Sequence, residues 1–306
     1  MLLSPASGAA PTNLAMINRI LVCLDKSTYT DAATGFACWL GNHHAASLEG
    51  LVVLDVPGIE RSVGAVPLGA MRFAKTSIAT KEEEYHQLME RLLEAFKKRC
   101  DDSGVRHDEF EMQGTPANAI LEEANYFDCV ILGMRTFFAY GSGAGEDKVY
   151  GTDDDEPGDS LELVMDQSLA PVFAVPLGWS PAEGDFDVLI AFDGSQHAMR
   201  GLRQFAGLYR GTSARVTLLS CNEDAEASKC ILAKAQAFLK AHGFEGIKTD
   251  SRAGDIRDSL TGEYAEPFDL IVLGAHSKSA VQEFFTGSLC KSLIERGDKP
   301  LLIANS

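Results

Sequence analysis

The feature that most constrains this chain is that it repeats itself. Ile20-Leu-Val-Cys-Leu-Asp25-Lys-Ser27 is an apolar run ending in Asp-x-Ser, and Val188-Leu-Ile-Ala-Phe-Asp193-Gly-Ser195 is the same device 168 positions later. Gly114-Thr-Pro-Ala-Asn-Ala-Ile120 runs on to Phe127-Asp-Cys-Val-Ile-Leu-Gly133. Its counterpart, Gly254-Asp-Ile-Arg-Asp-Ser-Leu260, runs on to Phe268-Asp-Leu-Ile-Val-Leu-Gly274. Gly158 and Pro171 return as Gly287 and Pro300, both 129 positions on. Matched landmarks in one order mean two copies of one unit. The shrinking offset shows that the first copy carries 27 extra residues before Gly133 and 12 more between Gly133 and Gly158.

Within each copy, short unbroken apolar runs alternate with stretches of helical period. The second copy reads as strands near 187–192, 215–221, 246–251, 269–274 and 300–304, with helices near 195–210, 225–242, 255–264 and 286–296. Ile231, Ala235, Phe238 and Leu239 recur at i, i+4, i+7 and i+8, and in the first copy Tyr85, Leu88, Leu92 and Phe96 recur at i, i+3, i+7 and i+11. Unbroken apolar strands suit a sheet covered on both faces. Strict alternation predicts an α/β fold of two tandem, doubly wound, five-stranded parallel-sheet domains with right-handed crossovers. The expected domains are 18–177 and 185–305, joined by the Gly/Pro/Ser-containing stretch 177–185.

Two stretches read as irregular. Residues 57–80 form a long connection in the first copy. Residues 141–159 are glycine-rich and then acidic, and connections of this length are either disordered or functional. Glu82, Glu83 and Glu84 read as the solvated start of a helix and Lys97, Lys98 and Arg99 as its basic end, each complementing the helix dipole. His43 and His44 read as surface residues at a helix end.

Composition narrows the functional classes. A net charge of −17 over 306 residues argues against nucleic acid as a partner, because polyanion binding rests on Lys and Arg neutralising phosphates. No apolar run approaches the ~18 residues of a membrane span, and the small, polar first 13 residues lack the pattern of a signal peptide. The seven cysteines form no Cys-x-x-Cys, and Cys23 and Cys129 sit inside apolar runs, which reads as buried thiols in a reducing compartment, the cytoplasm.

In doubly wound sheets, ligands settle beyond the carboxyl ends of the strands where the strand order reverses. Asp193 ends the first strand of the second copy, where it could accept from a ribose hydroxyl or an adenine amine; it could also simply cap the next helix. Gly274 ends the fourth strand, His276 and Ser277 follow, and nine residues later Gly287-Ser288 opens the last helix. Glycines allow close approach of a phosphate, and a helix N-terminus offers unpaired N–H groups. Gly274 and Gly287 could equally be turn glycines, and His276 a solvated loop histidine.

On these residues the chain resembles the universal stress protein family in its tandem form, over nearly all of residues 18–305. ATP-binding members carry Gly, two residues, Gly, nine residues, Gly, then Ser or Thr. The second copy matches that spacing with one departure, Ser277 for the second Gly. The resemblance implies an adenine nucleotide α-hydrolase-like fold whose ligand is ATP, with or without Mg²⁺. It implies that Ala191, Phe192 and Asp193 meet adenine or ribose and that Cys221 offers backbone to the base. Gly274, His276, Ser277, Gly287 and Ser288 would then surround the phosphates, with Leu289 and Cys290 backbone nearby. It also implies pairing through the last strands, here Val172–Val175 with Leu301–Ala304, to give an intrachain pseudo-dimer that can associate further as a homodimer.

The first copy departs further. Lys26 replaces the glycine of Asp-Gly-Ser, and Met134, Arg135 and Thr136 follow Gly133. The spacer is longer and acidic, and Asp159 stands where Ser or Thr is needed. A carboxylate ~4 Å from a phosphate costs on the order of 4 kcal/mol at a surface-like dielectric, before solvent relaxes. The first copy is therefore expected to bind ATP poorly, unless Mg²⁺ held by the acidic run between Asp153 and Asp159 reverses the sign. The expected function is an ATP-binding stress-response regulator. An ATPase is the alternative, with His276 its one candidate base and no Walker Gly-Lys-Ser/Thr, so at most weak hydrolysis. A nucleotide-free scaffold is the third reading.

Overall fold

The computed structural model describes residues 17–63, 69–136, 159–181, 186–210, 212–275 and 288–304. The first half runs β1 (Arg19–Cys23), α1 (Tyr29–His44), β2 (Ser47–Leu54), α2 (Val56–Val63), α3 (Met71–Ser103), β3 (His107–Gln113), α4 (Pro116–Ala124), β4 (Cys129–Gly133), α5 (Asp159–Gln167) and β5 (Val172–Val175). The second half runs β6 (Asp187–Ala191), α6 (Gln196–Leu208), β7 (Arg215–Cys221), α7 (Ala225–Ala241), β8 (Lys248–Arg252), α8 (Ile256–Thr261), β9 (Leu270–Gly274), α9 (Ser288–Arg296) and β10 (Leu301–Ala304). The alternation read from the sequence is thus the alternation observed.

All ten strands form one sheet, ordered β3-β2-β1-β4-β5-β10-β9-β6-β7-β8. Each half has the same internal order, with a switch point where β1 lies between β2 and β4, and β6 between β7 and β9. Pairing is parallel within each half. The halves join by the antiparallel pairing of β5 with β10, Phe173 opposite Leu302, so the expected intrachain pseudo-dimer is the architecture. The strands nearest this seam are buried on both faces. Along them side chains alternate between two cores: Ile20, Val22, Phe173, Ile190 and Leu302 on one face, and Leu21, Val172, Leu189, Leu301 and Ile303 on the other. The outermost strands, β3 (HDEFEMQ) and β8 (KTDSR), are polar and largely exposed; charge on a sheet's edge discourages pairing with another chain.

Aromatic rings from both halves reinforce the seam. Trp39 packs on Phe186 at 5.1 Å and on Trp179 at 5.9 Å, while Phe36 lies 5.1 Å from Phe173 and Phe186 stacks on Tyr209 at 5.7 Å. Such pairs add about 0.5–1.5 kcal/mol each beyond the area they bury.

Three local expectations are corrected. Residues 57–80 are not an irregular connection: α2 and the start of α3 occupy most of them, since Pro57 and Gly58 sit in the first turn of α2, where Asp55 Oδ1 accepts from the Gly58 amide at 2.9 Å, and α3 begins just after Gly69. Glu82, Glu83 and Glu84 therefore lie inside α3 rather than at its start. In the second half, the helix expected over 255–264 ends at Thr261, and Glu263–Ala265 forms a separate 3-10 turn.

Nor do the paired histidines share a surface position. His43 is exposed, but His44 is buried beside Tyr209, with ring centroids 6.4 Å apart. Neither His44 Nε2 nor the Tyr209 hydroxyl has a hydrogen-bond partner among the described residues. Burial first, and the neighbouring His43 second, bring the His44 pKa down to about 4. The unfolded chain, with its histidines near 6.5, takes up this proton first. Stability from His44 is therefore complete above about pH 6.5 and is lost as pH falls toward 4, by at most about 3 kcal/mol. Urea midpoints measured from pH 7.5 to 4.5 are expected to fall less steeply in His44→Phe than in wild type; parallel profiles would show that His44 is not the group.

Candidate functional site

A cavity of about 290 Å³ opens at the carboxyl ends of β6, β7 and β9, at the second half's switch point. Ala191, Phe192 and Asp193 form one wall as β6 ends, Leu219 and Cys221 of β7 a second, and Leu273 and Gly274 of β9 a third. Leu289 of α9 closes one side. Six residues expected from the sequence, Ala191, Phe192, Asp193, Cys221, Gly274 and Leu289, thus line one cavity. Cys290 lies beside it but is buried in the core, where burial pushes its thiol up to about 12. His276, Ser277 and Gly287 lie outside the described residues, and Ser288 is described only as the first residue of α9.

The cavity has further walls that sequence reasoning missed: Ser195 and Ala198 of α6, and Gly254, Asp255 and Ile256 at the start of α8. Gly254-Asp-Ile was visible as a repeat landmark, and that recurrence was the available signal. Gly254 has φ of 97°, a left-handed conformation suited to glycine. Asp255 caps α8, its Oδ1 accepting from the Arg257 amide at 2.9 Å.

Asp193 does not cap the following helix. Ser195 does that, its Oγ accepting from the Ala198 amide at 3.1 Å. Asp193 Oδ1 instead accepts from the Ser195 amide at 2.8 Å, closing a tight turn through Gly194, whose φ is 74°. Nothing else among the described residues engages this carboxylate. The first half handles its counterpart differently. Asp25 is 1% exposed, and its Oδ1 accepts from the Ser27 hydroxyl at 2.7 Å and from the Thr30 hydroxyl at 2.6 Å. Thr30 occupies the helix position held by Ala198 in the second half. The Ser27 and Thr30 hydroxyls thus tie Asp25 inward, whereas Ala198 has no hydroxyl and that of Ser195 serves the helix cap, which leaves Asp193 facing the cavity. Lys26, in the place of Gly194, takes no left-handed φ, and burial lowers its amine's pKa against the raising effect of Asp25. Met134, Arg135 and Thr136 are buried, so the segment after Gly133 is tucked into the fold. Gly158 and the acidic run lie outside the described residues, as does the side chain of Asp159. Among the described residues no group of three or more His, Cys, Asp or Glu could hold a metal ion.

Gly274 has a second duty. A Cβ there would sit 2.2 Å from the His197 carbonyl carbon on α6. In the first half a Cβ on Gly133 would sit 2.4 Å from Tyr29 Cβ on α1. Both glycines let the helix after the first strand pack directly on the fourth, which explains why the first half keeps one despite its other departures.

With this geometry in place, comparison with known proteins assigns the class. Residues 16–136 and 222–305 match the Universal stress protein family, and the chain belongs to that family. Universal stress protein Slr1230 of Synechocystis sp. is 22% identical over 302 residues, covering 94% of this chain and 99% of that protein. The crystal structure of a universal stress protein from Archaeoglobus fulgidus superposes with a TM-score of 0.64 at 18% identity, covering 94% of this chain and 98% of that one. A Pseudomonas aeruginosa protein of unknown function superposes with a TM-score of 0.50 at 14% identity, over 96% and 95% of the two chains. These likenesses span both halves, in keeping with a tandem arrangement. No described helix is long and apolar enough to cross a membrane.

Two stability outcomes follow. Thr30→Ala removes a hydrogen bond to a buried carboxylate and is expected to cost about 1.5–3 kcal/mol in urea unfolding; an unchanged midpoint would remove Thr30 as the tie on Asp25. Gly274→Ala and Gly133→Ala are each expected to cost on the order of 1–3 kcal/mol or more from backbone overpacking. If Gly274→Ala were as stable as wild type, the close helix–strand contact would be wrong.

Proposed function

We propose that this chain is an adenine-nucleotide-binding regulatory protein of the stress response and that ATP binds in the cavity of the second half. The observation carrying this reading is the half-buried Asp193 carboxylate, which lines, with Gly274, a cavity where β6, β7 and β9 end. A ribose hydroxyl or an adenine amine would donate to Asp193, and the base would lie along the backbone of Ala191, Phe192 and Cys221. The phosphates would reach His276, Ser277, Gly287 and Ser288, with Leu289 and Cys290 backbone beside them and Mg²⁺ accompanying the nucleotide. The domains are taken as 18–177 and 185–305, and the first is taken to be silent toward ATP because its aspartate is already satisfied.

The chain is read as holding nucleotide rather than turning it over. Catalysis of phosphoryl transfer needs a group to orient the nucleophile and charges to meet the transferring phosphoryl, and His276 is the one candidate the motif offers. Calorimetric titration with Mg-ATP is expected to give one site per chain. Gly287→Asp should weaken binding on the order of a hundredfold or more by placing a carboxylate at the phosphates. Ala198→Thr should weaken it about fivefold to tenfold by giving Asp193 the internal partner that Asp25 has. A parallel phosphate-release assay is expected to stay near background. Absence of heat in wild type would refute the proposal, and binding indifferent to both substitutions would put the site elsewhere.

A further inference from the structure

A second chemical grouping lies in the first half, away from the nucleotide cavity. Cys38 on α1 and Cys100 on α3 face each other with Sγ atoms 3.9 Å apart. The two helices are held at that spacing by further contacts. Asn42 Nδ2 of α1 donates to the Ser103 carbonyl of α3 at 3.0 Å, and the Cys38 Sγ lies 4.0 Å from the Arg99 carbonyl oxygen. Both thiols are buried, but Cys38, at 3% exposure, borders a surface pocket of about 390 Å³ with Arg99, Ser103, Asn42, Trp39 and Trp179, whereas Cys100, at 0%, does not. Cys38 is thus the sulfur next to the pocket, and Cys100 lies behind it. All seven cysteines are free thiols.

We propose that Cys38 and Cys100 form a redox-active dithiol site whose substrate is a small hydroperoxide, Cys38 attacking and Cys100 resolving. The local chemistry assigns these roles. The hydrogen bond from Cys100 outweighs burial at Cys38, and with help from Ser103, the Arg99 charge and His107 it brings the Cys38 pKa down to about 7. The same bond, with burial, pushes Cys100 up. The thiolate is therefore favoured on the sulfur that borders the pocket, and the thiolate is the nucleophile.

In the first step the Cys38 thiolate attacks the O–O bond. An S–O bond forms, the O–O bond breaks, and the leaving oxygen takes a proton to depart as an alcohol, or as water from hydrogen peroxide. In the second step the Cys100 sulfur attacks the Cys38 sulfenic acid. The S–S bond forms, the S–O bond breaks, and the hydroxide leaves as water with the Cys100 proton. Two thiols are oxidised by two electrons in total, and one hydroperoxide is reduced. A disulfide needs sulfurs about 2.0 Å apart, so the two must close by roughly 2 Å. An external thiol, such as dithiothreitol, returns both cysteines to the reduced state by exchange.

The test uses the reduced full-length chain treated with one equivalent of hydrogen peroxide, then quenched, digested without reduction and read by mass spectrometry. The Cys38–Cys100 cross-linked peptide is expected to be the main oxidised product, and dithiothreitol is expected to reverse it. The protein's only tryptophans, Trp39 and Trp179, both line this pocket, so their emission is expected to change with the cross-link and recover on reduction. In Cys100→Ser, dimedone should trap a sulfenic acid on Cys38; in Cys38→Ser, no sulfenic acid should form on Cys100. Oxidation of the exposed Cys230 while Cys38 and Cys100 stay reduced in wild type would overturn the proposal. So would cross-linking seen only after denaturation. The wild-type measurement decides even if a variant fails to fold.

Discussion

Everything in this molecule rests on one short stretch of backbone pairing, β5 against β10. Each half alone would end its sheet in an apolar edge strand with unpaired N–H and C=O groups, a surface proteins rarely leave open. Laying the two edges together satisfies those groups and lets the cores on both faces run through from one half to the other. Beside that pairing, Trp39 of α1 in the first half packs on Phe186 at the start of the second.

On this symmetric frame the halves differ through small chemical choices. The same aspartate ends the first strand of each, but serine and threonine hydroxyls satisfy it in one half, and in the other it faces a cavity. Burying a carboxylate requires partners; the first half supplies them from within. Its aspartate thus acts as a structural element, while the second half's remains open to an outside donor. The glycine that ends the fourth strand survives in both halves because helix packing needs it whether or not anything binds.

The fold was legible in the sequence because apolar runs, their alternation with helical periods and their recurrence all pointed one way. The seam was legible too, though through family resemblance rather than periodicity. The cavity was half legible. Asp193, Cys221 and Gly274 stood at strand ends, where a doubly wound sheet puts its ligands. Ala198 carried no such signal, since an apolar residue on a helix looks the same whether it faces a core or a cavity. His44 shows the same limit from the other side: its burial depends on Tyr209, far away in the chain, and no local pattern records that. Cys38 and Cys100 meet only because α1 and α3 pack together, so their spacing in sequence was silent. The helical course of 71–80 was missed because glycine and proline just before it set the reading for the whole stretch.

The covalent join between the halves has a further consequence. Partners on separate chains dissociate on dilution, whereas segments on one chain meet at an effective concentration set by the linker, in the millimolar range for short ones. The contact between β5 and β10 is therefore indifferent to how much of the protein a cell contains. Each copy of the cavity is always accompanied by one copy of the other half, in fixed one-to-one proportion, and the two were free to diverge in sequence without any risk of pairing like with like.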